Sequence, residues 1–428
     1  MARMDEITVG IIGMGEMGKM YARRISAAGW KVIACDRPSK YAELKQEFSD
    51  CPKVQILLDG HRVSRLGDYI IYSVEAEAID SIVALYGPST KQGAVVGGQT
   101  SCKAPELAAF EKHLPEDVDI VSCHSLHGPK VDPKGQPLVQ INHRASPRSV
   151  GLVRQILSCF GSKRVEISGE EHDHITADTQ AVTHAAFLSM GTAWCANDQF
   201  PWETDRYIGG IENVKVNLML RIYSNKWHVY AGLAILNPWA KIQIKQYAAS
   251  VTELFKLMLG GERDKLEKRI KAAASTVFTP QEREERLLLS DEVLDRFSLG
   301  KPPKEKKRNN HLALLAMVDC WSELQIVPYD HMICSTPLFR LWLGVTQYLF
   351  RKPGLLDEVL TTAVEDHSFR RDDLEFTFAA RAWSECVSFG DFQSYRDRFE
   401  RIQEYFKPRF PEATRVGNEM INVIFESM

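Results

Sequence analysis

Over roughly the first 168 residues, short apolar runs alternate with stretches of helical period. Ile7 to Ile12 is almost wholly apolar, as expected of a strand buried on both faces. It runs straight into Gly13-Met14-Gly15-Glu16-Met17-Gly18, and helical periodicity follows from Met20 to Ala28. Further runs predict strands at Trp30–Cys35, Asp68–Val74, Ala94–Gly98, Val118–Cys123, Pro137–Asn142 and Arg164–Ser168. Helices are predicted up to Leu85, over Ala104–His113 and over Pro147–Phe160. Such alternation predicts an α/β fold: a doubly wound, Rossmann-like sheet over residues 1–168 with helices on both faces. Ligands of that architecture bind beyond the carboxyl ends of the strands. Ser73, Ser101 and His124 fall at or near those ends.

From Glu170 onward the strands fade and an all-helical domain is expected. The segment FSLGKPPKEKKRNN, residues 297–310, interrupts it and reads as an exposed basic linker. The parts on either side, 169–296 and 311–428, resemble each other. HAAFLSMGTAW (His184–Trp194) and HLALLAMVDCW (His311–Trp321) share His, Ala, Leu, Met and Trp at the same relative positions. The same offset sets Tyr348 opposite Arg221, and Gly390 near Gly260-Gly261 between two long helical runs. The expectation is an internally duplicated helical unit. One chain then builds the interface that a single-copy relative builds by dimerising, giving a homodimer or a monomeric pseudo-dimer.

The strand, glycine turn and helix together form a dinucleotide fingerprint. Gly13 permits the tight turn, Gly15 lets backbone amides approach a pyrophosphate, and Gly18 lets the helix pack on the strand. Glu16 and Met17 open a helix whose free N–H groups suit phosphate, and Ser73 lines the same edge. Asp36 ends the second strand at the distance expected of a carboxylate that binds adenine-ribose hydroxyls, which favours NAD. Arg37 and Lys40 flank Ser39 and suit a ribose 2′-phosphate, which favours NADP. The residues leave the choice open, with NADP slightly ahead.

At 428 residues two or three domains are expected. A net charge of −3 argues against a nucleic-acid binder, and no apolar run is long enough for a bilayer. Nine scattered cysteines without a CxxC pair suit free thiols in a reducing compartment, the cytoplasm by default, and no metal site is expected. The opening residues enter the first strand almost at once, so no signal or transit peptide is expected.

Four polar features carry candidate chemistry. Ser101, between a strand and a helix, is placed to cap the helix and to touch a ligand. His124 follows an apolar strand in a domain with a nicotinamide site, and His127 is its less certain neighbour. His184 belongs to a polar cluster with Asp178, Thr179, Gln180 and Thr183 on an otherwise apolar helix, where such groups need a partner or a ligand. Arg221 leaves an apolar helical face either as an ion-paired core residue or as an anchor for a carboxylate.

The strings GIIGMGEMG, DYIIYSVEA, VGGQTSCK, HSLHGPK, HDHITADTQAVTHAAFLSMG, RIYSNKWHVYAGLAI and YDHMICSTPLFR resemble prephenate dehydrogenase of the fungal type, over nearly the whole chain. The resemblance implies NADP-dependent oxidative decarboxylation of prephenate to 4-hydroxyphenylpyruvate, on the route to tyrosine. It implies that His124 is the catalytic histidine, bonded to the substrate's 4-hydroxyl, and that Ser101 orients both. It implies a place for His184 in the substrate pocket and for Arg221 on a substrate carboxylate. Bacterial members usually have proline after the catalytic histidine, where this chain has Ser125. Tyr348 leaves the second helical copy without an anion anchor, and with one nucleotide domain a single active site per chain is implied. Two rivals remain open. A beta-hydroxyacid-type dehydrogenase needs a lysine and an asparagine one helical turn apart, whereas Lys215 and Asn217 are two residues apart and do not share a face. A non-catalytic NADP-sensing protein has no use for His124, Ser101, His184 and Arg221 together.

Overall fold

A computed structural model of the chain describes residues 3–129, 131–204, 209–278 and 308–426, with Leu289 and Leu294. The chain divides into two compact units, Met1–Thr176 and Ala177–Met428. Of the expected linker, only residues 308–310 are among those described, and Asn309 and Asn310 are buried.

The first unit holds an eight-stranded sheet in the order β3-β2-β1-β4-β5-β6-β7-β8. Its strands are β1 (Thr8–Ile12), β2 (Lys31–Cys35), β3 (Val54–Ile56), β4 (Tyr69–Tyr72), β5 (Val95–Gly98), β6 (Asp119–Ser125), β7 (Pro137–Arg144) and β8 (Lys163–Glu166). β1 to β6 pair in parallel, and their apolar runs are buried because helices cover both faces. These helices are α1 (Glu16–Ala27), α2 (Tyr41–Glu47), α3 (Gly60–Leu66), α4 (Ile79–Tyr86), α5 (Lys103–His113) and α6 (Pro147–Leu157).

The sheet departs from the sequence expectation in two ways. β3 is an edge strand of three residues with Gln55 exposed, too short for its period to stand out, and it was not anticipated. β7 runs antiparallel to β6, and β8 returns parallel to β7. An apolar run reports burial and not the direction of its neighbour, so this hairpin is visible only in the sheet. The first unit closes with α7 (Gly169–Thr176), which packs on α5.

The second unit begins with a π-helical turn, Ala177–Ala181, leading into α8 (Val182–Ala196). Then come α9 (Ile211–Tyr223), α10 (His228–Leu236), α11 (Pro238–Leu259) and α12 (Arg263–Val277). Beyond residue 307 a second series follows: α13 (Leu312–Glu323), α14 (Pro337–Arg351), α15 (Leu355–Glu365), α16 (Arg370–Phe389) and α17 (Phe392–Phe406), and then α18 (Phe410–Glu426). The two series match helix by helix in order and approximate length. Their packing matches too. α8 lies on α16 as α13 lies on α11, α17 meets α8 as α12 meets α13, and α10 meets α17 as α15 meets α12. The long helices α11 and α16 pack on each other, and so do α9 and α14. Both glycine turns between the long and the following helix use a left-handed residue, Gly261 at φ +67° and Gly390 at φ +70°. The buried apolar residues of both series form one core.

Candidate active site

The glycine turn is built as its spacing requires. Gly13 has φ +99°, a conformation that L side chains rarely adopt. A Cβ on Gly18 would collide with the carbonyl oxygen of Gly13, so only glycine lets α1 start this close to β1. Gly15 meets nothing within 4 Å on the side where a Cβ would stand. It is the N-cap of α1 and provides no side-chain hydrogen bond, which leaves first-turn N–H groups available to an anion. Asp36 braces the turn: its carboxylate accepts from the Met14 and Arg37 backbone N–H groups, both at 2.7 Å. The Arg37 side chain is 81% exposed, with its Nε 3.7 Å from Asp36, and Lys40 pairs with Glu43 at 2.7 Å. Ser73 donates to Gln99 Oε1 at 2.7 Å, and its carbonyl oxygen lies where a Gly13 side chain would clash. This cradle fits a dinucleotide diphosphate.

His124 lies inside β6, one residue before its end, where a residue beyond the strand was expected. It is 9% exposed, and its Nδ1 lies 2.8 Å from Nε2 of His172 on α7. The His172 Nδ1 in turn lies 2.9 Å from Asp173 Oδ1. Burial, with His172, Lys103 and His127 nearby, holds the His124 pKa well below the ordinary histidine range, so the ring is neutral. The next residue, Ser125, shares a 2.7 Å hydrogen bond with the Tyr21 hydroxyl, which ties the end of β6 to α1. His127 is half-buried and bonded through Nδ1 to the Gly128 carbonyl at 3.0 Å, and burial lowers its pKa.

The role foreseen for Ser101 as a helix cap is corrected. α5 begins at Lys103 with Cys102 as its N-cap, and Asp173 performs the capping. The Asp173 carboxylate accepts from the Lys103 N–H at 2.6 Å and from the Ala104 N–H at 2.7 Å. Ser101, half-buried, lies just ahead of this helix start. Beneath it Lys103 and Glu106 form a wholly buried pair at 2.8 Å. Lys103 also donates to the Cys123 carbonyl at 2.9 Å, and Thr100 donates to Glu106 through its N–H and its hydroxyl. The pair cross-links the turn after β5 to β6, the strand that carries His124. A Cβ on Gly98 would collide with the Glu106 carboxylate, which explains that glycine.

His172 and Asp173 were not singled out in the sequence. Asp173 meets its backbone donors across some seventy residues, so the only local trace was a His-Asp pair at the start of a helix.

In the second unit, His184 is buried in α8 and packs edge-on against Tyr230 at 4.7 Å between ring centroids. It borders a small apolar cavity with Ala181, Leu188, Ile244 and Trp383. Its Nδ1 has no hydrogen-bond partner among the described residues, and burial pushes its pKa down to about 3. Arg221, near the end of α9, is half-buried and interacts electrostatically with Tyr230. The Tyr230 hydroxyl accepts from Asn225 at 2.9 Å. Tyr230 thus links His184 and Arg221 in one locale. The second series is wired differently. His311 sits at a left-handed N-cap position, φ 45°, bound to Glu212 at 3.1 Å beside Lys215, and the Tyr348 hydroxyl is bonded to Lys352.

Residues 181–426 match the model of a 6-phosphogluconate dehydrogenase C-terminal domain. Residues 8–96 match that of the coenzyme F420-dependent NADP oxidoreductases. A Schizosaccharomyces pombe protein named a probable NADP(+) prephenate dehydrogenase is 61% identical over 99% of both chains. The Saccharomyces cerevisiae NADP(+) prephenate dehydrogenase is 55% identical over 97% of this chain and 93% of its own. A Methanocaldococcus jannaschii protein named a probable arogenate/prephenate dehydrogenase is 23% identical over 63% of this chain and 60% of its own. With a dinucleotide cradle on a parallel sheet, a neutral buried histidine at the end of β6 and two near-full-length relatives of one kind, the chain belongs to the prephenate dehydrogenase family.

Proposed function

We infer that this protein catalyses the NADP-dependent oxidative decarboxylation of prephenate to 4-hydroxyphenylpyruvate. The observation that carries the chemistry is His124: a buried, neutral imidazole at the carboxyl end of a strand in the sheet that cradles the cofactor. Bound NADP supplies the hydride acceptor. As the ring carbon bearing the 4-hydroxyl becomes a carbonyl, His124 takes the hydroxyl proton. Loss of the ring carboxylate as carbon dioxide then leaves an aromatic ring and drives the reaction forward. Ser101, just ahead of α5, orients the hydroxyl. Arg221 holds a carboxylate and contributes orientation rather than chemistry. His184 offers a polar substrate atom a ring nitrogen that the described residues leave unpaired. Among the described residues no helix is long and apolar enough to cross a membrane. All nine cysteines are free, which supports a reducing compartment, the cytoplasm.

The test is NADPH absorbance after adding prephenate and NADP to the purified chain, against a 3-hydroxy acid and a blank. His124→Asn should lower turnover by about a hundred- to ten-thousand-fold with cofactor binding retained. Near-normal turnover in that variant removes His124 from the reaction.

A further inference from the structure

Asp173 carries a carboxylate that accepts two backbone N–H bonds at the start of α5. Those bonds and the adjacent His172 hold its pKa below the usual carboxylate value, so the group is ionised and can only accept. The contact at 2.9 Å between Asp173 Oδ1 and His172 Nδ1 therefore requires a proton on that nitrogen. His172 is 1% exposed, and burial lowers its pKa too, so its ring is neutral and its Nε2 carries a lone pair. His124 Nδ1 lies 2.8 Å from that lone pair, and it must be the donor. With one proton on Nδ1, neutral His124 has its remaining lone pair on Nε2.

We propose that His172 and Asp173 are positioning residues that fix His124 as the Nδ1–H tautomer, so that Nε2 is the atom that receives the substrate's proton. This rests on the reading of His124 as the general base. The chain of bonds has one direction because it ends on a carboxylate that backbone amides pin in place. Free imidazole side chains prefer the opposite tautomer, with the proton on Nε2, which would leave nothing on that nitrogen to accept with. When the proton arrives at Nε2, His124 becomes an imidazolium whose Nδ1–H still points at His172 and, through it, at the negative charge of Asp173. The pair supplies both the orientation of the ring and a counter-charge for the product of proton transfer. The other charged and titratable groups facing these rings are Lys103, Glu106 and His127. Lys103 and Glu106 neutralise each other in their buried pair, and His127 turns its Nδ1 to the Gly128 carbonyl. None of the three takes the place of Asp173.

The proposal is tested first in the unaltered protein. With histidine-selective ¹⁵N labelling, NMR should show His124 and His172 both protonated on Nδ1 in the neutral state. A His124 ring protonated on Nε2 overturns the proposal whatever any variant does. The second arm compares His172→Phe with His172→Gln. Phenylalanine fills the space and offers no acceptor, so kcat should fall by about a hundred- to ten-thousand-fold with KM for prephenate little changed. The glutamine carbonyl can accept from His124 Nδ1–H while its NH2 faces Asp173, so His172→Gln should recover much of that loss. A role in packing alone predicts the reverse order, because phenylalanine is the better core residue. If His124→Asn collapses turnover while His172→Phe retains it, the positioning role is wrong and the base survives. If His124→Asn retains turnover, the underlying reading of the reaction has failed.

Discussion

Three histidines show how neighbours set the chemistry of one residue type. His124 is kept neutral by burial and by the positive and neutral nitrogens around it, with an ordered acceptor on its far side. His184 is kept neutral by burial alone, among aliphatic and aromatic groups. His311 stands against Glu212, so its surroundings include the counter-charge that the other two lack. The same contrast bears on the cofactor. Asp36 spends its oxygens on the Met14 and Arg37 backbone N–H groups, while the Arg37 guanidinium is largely exposed beside it. We assign Arg37 to the ribose 2′-phosphate. Arg37→Ser should cost roughly 1.5–3 kcal/mol of NADP binding, the range for hydrogen bonds to a charged group. The KM for NADP should rise about ten- to a hundred-fold, with the KM for NAD little changed. Equal losses for both cofactors would take Arg37 off the phosphate.

At the scale of the element, the junction of β1 and α1 separates two uses of glycine. Gly18 is needed by the protein itself, because a Cβ would collide with the Gly13 carbonyl, and backbone cannot yield cheaply in a close-packed turn. Gly15 faces open space and is needed only by what binds there. Gly18→Ala should therefore lower the melting temperature of the cofactor-free protein as well as the affinity for NADPH. Gly15→Ala should leave that melting temperature within a degree or so, since substitutions touching nothing stay within about 0.5 kcal/mol, yet weaken NADPH binding about tenfold or more. Thermal melts and fluorescence titration of both variants check this. Equal melting losses in the two would mean the turn does not divide its glycines in this way. α5 shows a related division: its start is capped from α7 by Asp173, so a helix terminus doubles as the foundation of the histidine pair.

At the scale of the molecule, the helical unit pairs its two series so that each long helix lies on the first helix of the other series. Two single-copy subunits would make that pairing across a dimer interface; here it is internal to one chain. The core is continuous through both series, with Trp321, Trp342 and Trp383 fully buried in it. The pairing that would otherwise call for a partner is thus already satisfied, and we expect light scattering on the purified chain to give the mass of one chain. A mass of two chains would mean that a further face, outside this internal pairing, holds a partner. The duplication has not preserved the chemistry. Where α8 carries His184 in mid-helix, α13 has His311 at its first turn tied to Glu212, and Tyr348 occupies the place of Arg221.

The sequence by itself determined whatever depends on neighbours in the chain. The glycine spacing specified the turn, the apolar runs specified the parallel strands, and the repeated His…Trp pattern located the second helical series. A run of three residues was too short to declare β3, and no local pattern encodes the antiparallel turn from β6 to β7. What only the tertiary structure decided are contacts between groups far apart along the chain. Asp173 caps α5 in place of Ser101, Lys103 and Glu106 cross-link the turn after β5 to β6, and His172 stands behind His124. The physical reason is that a periodic pattern records which face of an element is buried. The direction of a proton along a hydrogen bond is set by the donor or acceptor that folding brings to its other end.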